Sequence, residues 1–323
     1  MLFDLHGDIW TDVTAKRRMG FKNIIKNYHL ERFKEGSMVG GIFVIWTDFF
    51  QGENPKERFI ENIKAMSIEL LENREILKVI FSTGDFYQAV KENKLAILLG
   101  LEGLAAIGED VETIYTLYQL GFRHASLTWN EQNALATGVK GDANRGITTL
   151  GKDAVKIIEE LGMILDVSHA NEKTFWDIFE IAEKPFIASH SNARAICDVP
   201  RNLTDHQIKA IGEKDGLIGV NAFHEFVHMD NERKTLDYFI NHIEHIASLI
   251  GIDHVALGFD FFEYIEDEVT NNFREGPNVG TLEIEDISKG NNLISKLRER
   301  GFSREDIERI SYKNFLNLMD KVL

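Results

Sequence analysis

Three histidines and three carboxylates each fall at the end of a short apolar run: His6 and Asp8 in FDLHGD, Glu102 in GLEG, His169 in DVSH, His190 in SHS and Asp260 in GFD. Imidazole nitrogens and carboxylate oxygens without thiolates form a donor set that suits zinc and also binds manganese, iron or cobalt. Residues two apart in an extended chain point to one side, so His6 and Asp8 would reach one ion together. His169 and His190 follow neighbouring runs and would reach a second. Glu102 lies between them in order, and its two oxygens suit a bridge. Two ions about 3.5–4 Å apart clamp a hydroxide and polarise a carbonyl. Asp260 would accept the proton of that water and pass it to a leaving amine. The chemistry implied is hydrolysis of an amide bond, with Glu102 and Asp260 as its carboxylates.

The elements that must position these groups repeat along the chain. Apolar runs occur at 2–6, 39–46, 95–100, 122–128, 163–168, 185–189, 217–223 and 254–259. Helical patterns lie between most of them, as at 55–79 and 148–162, and Thr204 with Gln207 forms a capping box. Strands that read as continuous apolar runs are buried on both faces, as in a parallel sheet. Eight strand–helix units predict an α/β fold, a closed (β/α)8 TIM barrel. It is read as a single domain over residues 1–323, with closing helices near 285–300 and 303–322 completing the outer ring. In such barrels the active site lies at the C-terminal ends of the strands, which is where the six residues fall. The fourth run leads into Trp129 and Asn130 and the seventh into Asn221. Arg201, in DVPRN after the sixth run, has the planar fork that binds a carboxylate.

Composition narrows the partners. A formal net charge of −16 over 323 residues disfavours nucleic acid and anionic membrane surfaces. The chain has 1 cysteine, Cys197, so no internal disulfide or thiolate zinc cluster forms, and this residue reads as a buried small side chain. The opening MLFDLHGDIW lacks the features of a signal peptide, and no apolar stretch is long enough to span a bilayer. A cytoplasmic enzyme is expected. His242 and His245 lie beside an apolar stripe, and His29, His124, His206 and His254 read as surface or packing residues. His224 and His228 lie nearer the rim but are left outside the site. Asp4 and Asp166, two and three residues before site histidines, read as supporting groups.

The stretches DLHGD, LEG, LDVSHANE, ASHSNARAICDVPRN and IDHVALGFDF, with the tail from Val279 to Leu316, resemble the membrane (renal) dipeptidases and their bacterial relatives. These are the M19 metallopeptidases of the amidohydrolase-like barrels. The resemblance implies a two-zinc dipeptidase that acts on small dipeptides, and a homodimer. Carried over residue by residue, it gives one zinc to His6 and Asp8 and the other to His169 and His190, bridged by Glu102. Arg201 matches the arginine for the substrate carboxylate, and Asp260 the acidic residue for proton transfer. Two departures stand out. Mammalian members have a histidine near the end of the fourth strand where this chain has Trp129 and Asn130. Asn130 or a metal ion would then stabilise the oxyanion, and Trp129 would wall the pocket. Where the family commonly has DFDG, this chain has Asp260-Phe261-Phe262-Glu263.

The alternative activity is another metal-dependent amidohydrolase acting on a small amide, lactam or N-acyl amino acid. Lactonases, phosphotriesterases and deaminases of such barrels usually open with HxH and bridge through lysine, unlike the HxD and glutamate here. A barrel that keeps only a binding role would have no use for the full ligand set.

Overall fold

The computed structural model describes residues 1–46, 54–265 and 280–323. Its sheet is parallel throughout. The strands are β1 (Leu2–Gly7), β2 (Met38–Trp46), β3 (Leu77–Val79), β4 (Leu95–Glu102), β5 (Phe122–Ser126), β6 (Ile164–Asp166), β7 (Ile187–Ala188), β8 (Leu217–Val220) and β9 (Val255–Leu257). Their order is β1-β2-β4-β5-β6-β7-β8-β9, a nearly closed eight-stranded barrel, and β3 pairs only with β4. The eight expected runs are thus β1, β2 and β4 to β9. Backbone ladders join each neighbour up to β9. Across the remaining seam Asp4 Oδ1 accepts the Phe259 N–H at 2.8 Å.

Two expectations need correction. The helix read over 55–79 ends at Glu72, and Leu77–Val79 forms β3 instead. Asn73 stops the helix, and the strand takes up the lower edge of β4, pairing Leu77–Val79 with Leu95–Ile97 below the point where β5 joins at Leu99. The last helix, Asn314–Val322, does not simply extend the outer ring. Its Phe315 stacks on Phe3 with ring centroids 4.6 Å apart. With Met319 it joins the cluster that holds Leu5, Ile42, Val44 and Leu98, closing the N-terminal mouth of the barrel. The larger apolar cluster lies between the other strand faces and the helices.

Two local features aim the barrel's rim. In β1 the register is broken between Asp4 and Gly7, where four residues face the three of Gly41–Phe43. The extra residue lets Leu5 join the interior cluster while His6 also faces inward, a common use of a bulge beside a site. Around β7, Gly219 and Gly258 leave room for one carbonyl. A Cβ at either position would stand 1.9 Å and 1.7 Å from the Ser189 oxygen. The strands therefore close tightly around Ser189 and hold His190, the next residue, at the rim.

Candidate functional site

His6, Asp8, Glu102, His169, His190 and Asp260 converge at the C-terminal rim. Glu102 ends β4, and its Oε1 lies 2.8 Å from His169 Nε2, 3.4 Å from His190 Nε2 and 3.5 Å from His6 Nε2. His6 Nε2 is 3.6 Å from Asp8 Oδ2 and 3.9 Å from Asp260 Oδ1. Asp8 sits at the N-cap position of the helix Ile9–Arg18 but makes no side-chain cap bond, so its carboxylate is left for the rim. Asp260 follows β9 with φ at 58°, an uncommon conformation for a residue with a side chain. Its Oδ2 accepts the Asn221 amide at 2.9 Å.

The hydrogen bonds behind the histidines fix which nitrogen each presents. His169 Nδ1 lies 2.9 Å from Asn130 Oδ1, which only accepts, so the ring proton is on Nδ1. Ser189 donates its hydroxyl to Asp166, so it accepts from His190 Nδ1 at 2.7 Å. Both Nε2 atoms are therefore lone pairs turned inward, and they face one another at 2.9 Å. Asp166 also accepts from Ser168 and from His124 Nε2, the latter at 3.0 Å. Burial alone would raise the Asp166 pKa, but these bonds from His124, Ser168 and Ser189 hold it well below the usual carboxylate range.

A cation fits this arrangement. Two opposed lone pairs repel, and His6 Nδ1, His6 Nε2 and Asp8 Oδ1 are buried with no hydrogen-bond partner among the described residues. Burial raises Glu102 to about 8, and neighbouring carboxylates add to the shift; burial likewise raises Asp260 to about 6. Burial would lower His6, but Glu102 and Asp8 hold it well above its ordinary value. Burial, Arg201 and His6 push His169 and His190 well below theirs. Without a cation, protons would have to neutralise the carboxylates; a divalent ion displaces them and takes the lone pairs. Among the described residues, two sets of donors each have their ligand atoms within 4.8 Å of one another: His6 with Glu102 and His190, and His6 with Asp8 and Asp260.

The cluster floors a cavity of about 260 Å³ that Trp46, Trp129, Asn130, Lys140, Arg201 and Phe262 also line. Arg201 is 5% exposed, donates to Ser191 Oγ and to the His190 carbonyl, both at 3.1 Å, and its Nε has no partner among the described residues. Burial lowers its pKa to about 10, so it stays charged at neutral pH. Of the site residues expected from the sequence, Asp8, Glu102, Trp129, Asn130, His169, Arg201 and Asp260 line the cavity, and His6 and His190 lie against Glu102 beside it.

Other side chains that line or support the cavity escaped the sequence reading. Ser189 and the aromatic wall of Phe223, Phe226 and Phe262 look like ordinary strand-end residues, and only the SHS repeat of hydroxyls around His190 hinted at support. His29 and His124, read as surface or packing residues, are fully buried in polar networks: His29 Nε2 meets Asp12 at 2.7 Å. Cys197 is buried, which raises its thiol to about 11 and leaves it inert. No helix among the described residues is long and apolar enough to cross a membrane.

The family model described as membrane dipeptidase, peptidase family M19, matches residues 1–323. A Klebsiella pneumoniae protein described as uncharacterized, in the pqqA 5′ region, is 33% identical over 255 residues, covering 76% of this chain and 89% of its own. A Claviceps purpurea protein described as dipeptidase tcpJ is 25% identical over 312 residues, covering 93% and 70%. In fold, the chain is similar to a metallo peptidase from Rhodobacter sphaeroides, solved with a phosphinate mimic of the dipeptide L-Ala-D-Ala. That match has a TM-score of 0.87 at 23% identity and covers 100% of this chain and 99% of the other.

Proposed function

This chain belongs to the membrane dipeptidase family, peptidase family M19, and from that premise we propose a zinc-dependent dipeptidase that cleaves small dipeptides bearing a free carboxylate. The enzyme class, a peptide-bond hydrolase using divalent metal, comes with the family. The observation that carries the finer reading is the pair of inward lone pairs on His169 and His190, set against the carboxylates of Asp8, Glu102 and Asp260 beside a buried arginine. His6 and Asp8 would hold one ion, His169 and His190 the other, and Glu102 both. When bound, two such ions supply the nucleophilic water and polarise the scissile carbonyl.

The protein's own groups do the rest. Arg201, pinned by Ser191 and the His190 carbonyl, receives the substrate's carboxylate through its remaining N–H groups and fixes how far the peptide enters. Trp129 walls the cavity. Asn130 keeps the proton on His169 Nδ1, and its amide is a candidate for steadying the developing oxyanion. Asp260, anchored by Asn221 at Oδ2, has Oδ1 turned toward His6. With a pKa near neutrality it can take a proton from the attacking water and return it to the amine nitrogen as the C–N bond breaks. One barrel domain over residues 1–323, acting in the cytoplasm as a homodimer away from membranes and nucleic acid, is the proposed setting; fractionation and light scattering test it.

The deciding experiment is hydrolysis of a dipeptide by zinc-loaded protein, repeated with the C-terminal amide. Loss of the carboxylate should cost about 2–4 kcal/mol in transition-state binding, the usual effect of breaking a buried charge pair. Equal kcat/KM for acid and amide would mean that Arg201 does not receive the substrate's carboxylate. No cleavage of any dipeptide would remove the activity.

A further inference from the structure

We infer that the cavity selects dipeptides whose C-terminal residue carries an apolar side chain, seated on the cluster of Phe223, Phe226 and Phe262. The inference rests on the dipeptidase reading above and adds the substrate class. Three observations carry it. First, the cluster stands apart from the two apolar clusters that hold the barrel together: Phe223, Phe262 and Ile265 pack with one another, with Phe226 against them. Its ring contacts are close, with Phe223 centred 4.8 Å from Phe226 and 5.0 Å from Phe262. Second, all four of these residues line the same cavity as the metal-site carboxylates. Third, the Arg201 guanidinium lies over the Phe226 ring, 5.6 Å from its centre. The receptor for the carboxylate and the apolar wall are therefore adjacent.

The position of the carboxylate then directs the side chain toward one wall. A carboxylate held at Arg201 puts the Cα of that residue one bond away. The scissile bond must run from this Cα toward Glu102, His169 and Asp260. The side chain on the same Cα must take another direction, and the neighbouring surface on the Arg201 side is Phe226 with its two partners. An aliphatic or phenyl group there removes apolar surface from water on both sides. A carboxylate side chain would be desolvated against phenyl rings, in a wall that also contains Glu225. The opposite wall, Trp46 and Trp129 with centroids 5.2 Å apart, comes from the ends of β2 and β5 on the far side of the barrel and is left for the N-terminal residue.

The test is a substrate series with alanine first and glycine, alanine, leucine, phenylalanine or aspartate second, both enantiomers of each chiral residue, on zinc-loaded enzyme. In the better enantiomer, leucine and phenylalanine should exceed glycine in kcat/KM by about 10²-fold, the scale of hydrophobic-pocket discrimination, with aspartate lowest. Phe262→Ala and Phe226→Ala should each shrink the leucine-to-glycine ratio by about tenfold, and either variant alone suffices if the other fails to fold. A flat series, a preference for glycine or aspartate, or an undiminished ratio in the variants overturns the inference while leaving the dipeptidase reading intact. Cleavage of no member overturns both.

Discussion

Ser189→Ala should weaken metal binding beyond any loss of stability in the metal-free fold. In the structure the Ser189 hydroxyl donates to Asp166 and accepts from His190 Nδ1 at 2.7 Å. A metal on His190 Nε2 forces the ring proton onto Nδ1, which the variant leaves buried without an acceptor. An unmade bond of this kind costs about 1–3 kcal/mol, or about 5- to 150-fold in an equilibrium constant. Partners of this sort typically contribute about 10- to 100-fold to metal affinity. Both states lose the bond to Asp166, but the metal-free protein escapes the stranded Nδ1 proton, because that proton can move to Nε2, where His169 Nε2 at 2.9 Å accepts it. The penalty therefore belongs to the loaded state. Competition with a chromophoric chelator at fixed pH reads it as a Kd, and thermal unfolding of metal-free protein serves as the control. A zinc Kd within twofold of the wild type would refute the tautomer argument. A large fall in metal-free stability with unchanged Kd would instead make Ser189 a packing residue.

Asp260→Asn keeps shape but cannot carry the proton, so kcat should fall by about 10²–10⁴ with metal content near normal; near-wild-type kcat at full occupancy rules the shuttle out. His242 is buried, its Nδ1 accepting from the Ala193 N–H at 3.1 Å and its Nε2 donating to the Val227 carbonyl at 2.9 Å, and burial lowers its pKa to about 4. The unfolded chain therefore binds a proton the folded one refuses. Its contribution is complete above pH about 6.5 and lost as pH falls toward 4, with about 2 kcal/mol gone by pH 5. Denaturant unfolding at pH 7.5 and 5 should show a smaller pH effect in His242→Gln; the same pH effect in both proteins counts against the assignment. Gly258→Ala should cost about 1–3 kcal/mol through overpacking against the Ser189 carbonyl, seen as a lowered Tm; an unchanged Tm would mean the strands can part there at no cost.

The barrel was legible because strands buried on both faces leave long apolar runs such as LAILLGLE, and the site because histidines and carboxylates are out of place at the ends of such runs. What escaped has a physical reason in each case. The strand Leu77–Val79 is three residues long and follows a helix without glycine or proline between them, so its composition continues the helical pattern. The bulge that turns His6 inward depends on what β1 lies against, and the HxD spacing alone does not encode it. Asp166 and Ser189 are 23 residues apart, and nothing local marks them as partners. Phenylalanines 223, 226 and 262 carry no label separating a cavity wall from a core, because the distinction lies in what they leave uncovered.

The seam between β9 and β1 has a consequence for how the protein is made. Asp4 and Phe259 meet across it although 255 residues separate them in the chain, and His6 and Asp260 flank the same junction. A nascent chain exposes His6 and Asp8 early but cannot set them in place until β9 has cleared the ribosome. Until then the early donors stand on an unpaired strand edge with no Asp260 opposite. Closure of the site is therefore a late event in biosynthesis, and a chain stalled before β9 would carry all five proposed ligands without the strand that closes the barrel beside them.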